Sequence, residues 1–144
     1  MTWLADASVL LAREDADDAY HEAARALLQG PEPIATLDLA YYEITNVAVR
    51  AWGDSAAASR LRETVEALAD DGGLVRADGA LVARAADLAA EHALSAYDAA
   101  YVAAAGVIGA RLVSCDVRDL VSAGLALSPT AALACHAPER PTEP

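Results

Sequence analysis

The chain has 144 residues, enough for one domain that buries roughly two-thirds of its unfolded surface. Its 56% hydrophobic content is rich in alanine, and its longest apolar stretch, Ala99 to Ala110, is too short to span a bilayer and contains two glycines. The formal net charge is −12, with arginine the only basic residue besides histidine, a balance that excludes a protein coating nucleic acid by bulk charge.

The elements alternate. Thr2 to Asp6 reads as a strand and Ala7 to Arg13 as a short helix. Asp17 or Asp18 is placed to cap a helix running through Gln29, with Ala24, Leu27 and Leu28 on its apolar face. A Gly-Pro-Glu-Pro turn at 30–33 leads into the strand Ile34 to Thr36. Thr36 or Asp38 then caps a helix predicted to continue to about Trp52.

Asp54 or Ser55 opens another helix, with Leu61, Val65 and Leu68 in helical register, ending at Asp71-Gly72-Gly73. Leu74 to Ala77 is the third strand. A helix marked by Leu81, Ala85 and Leu88 follows, and Ser95 caps one from Ala96 to about Gly109. Arg111 to Ser114 is the fourth strand, Val117 to Ala123 a short helix, and Leu125 to Leu127 a possible fifth strand. This alternation predicts an α/β fold in three layers, with a mostly parallel sheet of four or five strands flanked by helices. The domain is expected over residues 1–130, with a C-terminal extension at 131–144 whose proline-rich and charged end is expected to be disordered from about 136.

Two strands run straight into an aspartate, Asp6 and Asp116. In a parallel sheet, ligands gather beyond the carboxyl ends of the strands, so both can face one crevice. Glu43 lies in an otherwise apolar helix and is expected to be buried, which is rare for glutamate without a partner or a metal. Asn46, three residues on, shares its face. Asp98 stands among small apolar residues in the first turn of its helix, where the dipole alone favours an acid. Carboxylates gathered in one place repel one another, and a hard divalent cation, Mg²⁺ or Mn²⁺, relieves that repulsion.

Asp6-Ala7-Ser8-Val9-Leu10-Leu11, Glu43-Ile44-Thr45-Asn46-Val47, Tyr97 to Ala105 and Val113-Ser114-Cys115-Asp116 follow one another in an order and spacing that resembles the four acidic motifs of the PIN domain, over about residues 2–130. By pattern the chain is most similar to the VapC-type ribonuclease toxins of toxin–antitoxin pairs. The resemblance implies a parallel sheet flanked by helices and a Mg²⁺- or Mn²⁺-dependent endoribonuclease. It maps the catalytic acids onto Asp6, Glu43, Asp98 and Asp116, with Asp6 and Asp98 as direct metal ligands and the other two binding directly or through water. Ser8, Asn46 and Ser114 are supporting residues, and Asp119 competes with Asp116 for the fourth acidic position.

RNA is the implied substrate. On a chain this acidic it needs a local arginine cluster, for which Arg13, Arg50 and Arg118 are the candidates beside the motifs. A cognate antitoxin and a two-fold homodimer are the implied protein partners. Trp52, Leu61 and Val65 are expected at a partner-covered apolar surface, because their helices have more apolar positions than one side of a small sheet can cover. The two cysteines lack metal-pair spacing and the density of a disulfide scaffold, and the N-terminus lacks the basic opening of a signal peptide, so a cytoplasmic protein with no membrane association is expected.

Competing readings fit less well. A haloacid-dehalogenase-like phosphatase needs an aspartate at position 8, a receiver domain needs a late lysine, and a nucleotide-binding fold needs a glycine-rich turn after the first strand. A stand-alone RNA-processing nuclease and a non-catalytic interaction module remain as alternatives.

Overall fold

In the computed structural model, which describes residues 1–135, four short strands form one sheet in the order β3-β2-β1-β4, and every pair is parallel. The strands are β1 (Trp3–Ala5), β2 (Ile34–Leu37), β3 (Leu74–Val75) and β4 (Arg111–Val113). Trp3 pairs with Ile34 on one side and with Arg111 on the other, so β1 is central. The expected fifth strand reduces to a single parallel bridge, Val113 to Leu127. The third strand stops at Val75, because Ala77 turns its N–H onto the Asp38 carboxylate.

Side chains alternate across the sheet and seed two apolar layers. Leu4, Leu37 and Leu112 point into the larger one, formed with α3 (Leu39–Asn46), α4 (Ser55–Asp70), α5 (Gly79–His92) and α6 (Ala96–Ile108). Trp3, Ala5, Ile34 and Val113 point into the smaller one, under α2 (His21–Leu28) and α7 (Pro129–Ala134). Helix α1 (Ala7–Glu14) serves both, through Leu10 on one side and Val9 and Ala12 on the other. This gives the three-layer α/β architecture expected from the alternating pattern. Helix α7 crosses the expected boundary at residue 130 and packs on α2, with Ala132 buried. The tail expected to be disordered, 136–144, lies outside the described residues.

Local chemistry explains the helix starts. Asp54, Asp78, Ser95 and Ser128 each accept a backbone N–H three residues on, satisfying a free donor of the first turn. The second helix begins later than expected, at His21: Asp15 and Asp18 spend their carboxylates on the N–H groups of Asp17 and Tyr20, building a turn instead of a cap. The helix expected to run to Trp52 is α-helical only to Asn46. Val47–Ala51 then widens into a π-helical turn, closed by the Trp52 N–H on the Val47 carbonyl at 3.0 Å.

The apolar surface expected for a partner is corrected in part. Leu61 is 1% and Val65 0% exposed, packed in the larger core layer, because α3 and α4 bury these faces against each other and against the sheet. Only Trp52 of that group keeps partial exposure. Among the described residues no helix is long and apolar enough to cross a membrane.

Candidate metal centre

The connections from β1 and β4 leave in opposite directions along the sheet, which places a switch point between these two strands. Their carboxyl ends are stitched together by hydroxyls. The Ser8 hydroxyl donates to Asp6 Oδ1 and accepts the Cys115 N–H at 2.9 Å. It also lies 3.4 Å from the Ser114 hydroxyl, which accepts the Asp116 N–H at 3.0 Å. Asp6 caps α1 by accepting the Val9 N–H, and Asp116 accepts the Asp119 N–H at the start of a second π-helical turn, Val117–Val121. Asp6, Ser114 and Thr36 are the buried polar residues of the described chain, and all three sit at this edge. Thr36 ties the edge further by donating to the Ala5 carbonyl at 2.7 Å.

Carboxylates from α6 and from the segment after β4 meet here. Oxygens of Asp98, Asp116 and Asp119 lie within 4.8 Å of one another. Asp6 and Glu43 stand outside that group but are joined to it by charge, since Glu43 is influenced by Asp98 and Asp6 by Glu43. Burial is the largest cause in each shifted acid. It pushes Asp6 up to about 6, against the opposing hydrogen bonds of Ser114, Ser8 and Val9 and with the Glu43 charge adding to the rise. Glu43 is raised by burial, against an opposing interaction with the Tyr101 hydroxyl, and further by Asp98; Asp98 is raised by burial and then by Asp116 and Asp119. A row of acids that resists ionising together is stabilised by a positive ion.

The donor set fits a hard divalent cation. It is made of carboxylate oxygens, with neither histidine nor thiolate among them. A second observation agrees. Glu43 Oε1 is buried without a hydrogen-bond partner, a costly state for a polar atom unless something else satisfies it.

The expected residues fare unequally. Asp98, Asp116 and Asp119 converge, with Asp119 in the same group as Asp116. Ser8 and Ser114 position the strand ends. Asn46 is exposed and makes no hydrogen bond to Glu43; it lines a groove along α3 instead. Arg118 projects into solvent beside Asp119, at 3.7 Å. Arg13 donates to Thr64 at 3.1 Å on α4, at the other end of α1 from Asp6, and Arg50 lies in the groove with Asn46.

Two site residues carry no expectation from sequence. Tyr101, 2% exposed, is raised in pKa by burial first and then by the Glu43 and Asp6 charges; its hydroxyl stands close enough to Glu43 to lower the glutamate's pKa in turn, but without well-formed hydrogen-bond geometry. Its place three residues after Asp98 on α6 is the signal that points to it. Cys115 sits between the strand ends with its thiol pushed up to about 12, chiefly by burial, and so remains protonated.

The family model described as PIN domain matches residues 4–123. No curated protein matches the chain. Among solved structures, a toxin–antitoxin complex from Klebsiella pneumoniae is similar at TM-score 0.68 and 18% identity, covering 88% of this chain and 96% of that one. The Pyrobaculum aerophilum protein PAE2754 is similar at 0.66 and 24% identity, covering 94% and 88%. VapC20 of Mycobacterium tuberculosis, a Sarcin-Ricin loop cleaving toxin, is similar at 0.67 and 22% identity, covering 85% and 95%.

Proposed function

The chain belongs to the PIN domain family, and from that premise we propose that it is a Mg²⁺- or Mn²⁺-dependent endoribonuclease, the toxin of a toxin–antitoxin pair. One observation carries this reading: three carboxylates within 4.8 Å at the sheet's switch point, beside a buried glutamate oxygen that has no partner. The toxin role draws support from the similar structures, one a toxin–antitoxin complex and another a toxin that cleaves the Sarcin-Ricin loop. A cytoplasmic site of action, an antitoxin partner and a homodimer belong to the same proposal.

Asp6 and Asp98 would hold the ion directly, with Glu43 and Asp116 directly or through water and Asp119 beside them. When bound, such an ion supplies charge neutralisation at a phosphate and a more acidic water. The protein's own groups do the rest. Ser8 and Ser114 set their hydroxyls on Asp6, so that its carboxylate is oriented before the substrate arrives. Tyr101 is a neutral donor at any working pH, available to Glu43. Cys115 is a protonated thiol, and the Ser8 hydroxyl is already committed to Asp6, so water is the nucleophile.

The direct test is Asp98→Asn, which keeps shape and removes charge. The unaltered chain should cleave single-stranded or loop RNA with Mg²⁺ or Mn²⁺ and stop in EDTA, while the variant folds and does not cleave. Cleavage undiminished by the substitution would end the proposal. Co-expression with the product of a short neighbouring reading frame should neutralise the activity if that frame encodes the antitoxin.

A further inference from the structure

All four strands point the same way, so the residues after them share one edge. In the order of the sheet they are Arg76 after β3, Asp38 after β2, Asp6 after β1 and Ser114 after β4. Neighbouring strands lie about 4.8 Å apart, which puts the β3 end roughly 10 Å from the β1 end. Beside the acids, on the β2–β3 side of this edge, α3, α4 and the β3–α5 loop enclose a groove of about 1180 Å³.

The groove is unlike the rest of the molecule. Arg50, Arg62 and Arg76 line it, three of the ten basic side chains of a chain whose net charge is −12. A single acid, Asp38, is among its lining residues, and both of its carboxylate oxygens accept the Ala77 N–H. Among the described residues Arg50 and Arg76 form no ion pair, and Arg62 meets only Glu66, at 3.7 Å. Tyr41 and Tyr42 add aromatic faces, Tyr42 being 78% exposed. Helical spacing connects groove and acids: on α3, Ala40, Ile44 and Ala48 face the core, Tyr42, Asn46 and Val49 line the groove, and Glu43 lies on the seam between.

We propose that this groove holds the single-stranded RNA flanking the cut, with Arg50, Arg62 and Arg76 on its phosphates and a base stacked on Tyr42. The inference rests on the nuclease reading only in taking RNA as the ligand. Arginines beside exposed aromatic faces match a polymer that alternates phosphate and base. Adjacency along α3, where the groove residue Tyr42 precedes Glu43, favours that polymer over an acidic protein segment, because a strand lying across Glu43 has to leave the acids somewhere and the rim around Asp98, Asp116 and Asp119 repels phosphate. A second copy is disfavoured as the occupant of this groove, since a two-fold contact here would set Arg50, Arg62 and Arg76 against their own copies.

The test is equilibrium binding of a labelled single-stranded oligoribonucleotide, followed by anisotropy in EDTA over a range of salt. Each phosphate contact on a single strand contributes about 0.7 to the salt slope, so Arg62→Ala with Arg76→Ala should lower the slope by about 1.4 and weaken binding at least about tenfold at low salt. Tyr42→Ala should weaken binding about tenfold and leave the slope alone, with Tyr42→Phe close to the unaltered chain. An unchanged slope in the arginine variant overturns the proposal, as does full affinity in Tyr42→Ala. Loss of a dimer by light scattering with RNA affinity intact would assign the groove to a second copy instead. Binding is read without turnover, so a chain that binds in this way but does not cleave refutes the nuclease reading alone.

Discussion

The Ser8 hydroxyl accepts the Cys115 N–H at 2.9 Å across 107 residues of sequence, while its own proton goes to Asp6. One side chain therefore joins the first turn of α1 to the end of β4 and sets the spacing of two acid-bearing strand ends. Ser8→Ala leaves a partly buried N–H without a partner and removes a donor from Asp6. The cost should be about 1–3 kcal/mol, read from denaturant unfolding in EDTA. A loss under about 0.5 kcal/mol, the range of ordinary surface substitutions, would show that the stitch is dispensable.

The raised acids make metal-free stability depend on pH with a definite sign. Asp6 titrates near 3.8 when unfolded and near 6 when folded, so between these values the folded state binds more protons and stability falls as pH rises. At about 1.4 kcal/mol per pKa unit, Asp6 alone makes the chain about 3 kcal/mol less stable at pH 7 than below pH 4. Glu43 and Asp98 are shifted in the same direction and add to the effect. In EDTA the chain should melt higher at pH 5 than at pH 7.5, Asp6→Asn should flatten that difference, and millimolar Mg²⁺ should raise the melting point most at the higher pH. A melting point indifferent to both pH and metal would rule out a strained acid cluster.

Much of this site is legible in the sequence because its parts are local. Asp6 and Asp116 terminate short apolar strands, and Ser95 and Asp98 open a helix with a side-chain cap. What sequence could not supply depends on packing at a distance. The apolar spacing through Val47, Ala48 and Ala51 reads as continuous α-helix, yet the chain widens there to a five-residue hydrogen bond. Asp18 has the chemistry of a helix cap but meets the Tyr20 N–H first, delaying α2. Leu61 and Val65 read as surplus apolar residues until α3 and α4 are seen to cover them. Tyr101 is one of many apolar positions on α6 until its hydroxyl is found facing a glutamate from another helix.

The two aspartates around Arg118 should differ in degree. Asp116 is half-buried and caps the π-helical turn, whereas Asp119 is exposed and partly engaged by Arg118. Asparagine can still accept the Asp119 N–H, so Asp116→Asn should fold normally and lose Mn²⁺ affinity by about 100-fold. Asp119→Asn should lose about tenfold, the lower end of what outer ligands contribute. Calorimetric titration with Mn²⁺ decides the order. A larger loss in Asp119→Asn would make Asp119 the fourth acid.

Tyr101 is the residue whose two effects should oppose each other. Its hydroxyl is buried beside a buried Glu43 oxygen and interacts with it, but neither atom has a well-formed hydrogen bond, so in the metal-free chain both are held at a cost. Tyr101→Phe removes one of them and should leave metal-free stability unchanged or raise it by about 1 kcal/mol. If the hydroxyl donates to Glu43 once the carboxylate is charged and occupied, the same variant should bind Mn²⁺ about tenfold more weakly, as expected when a ligand loses the group that orients it. Unfolding in EDTA and Mn²⁺ titration together separate the cases. A variant that is less stable without metal yet binds Mn²⁺ normally would make Tyr101 a packing residue and leave Glu43 without its donor.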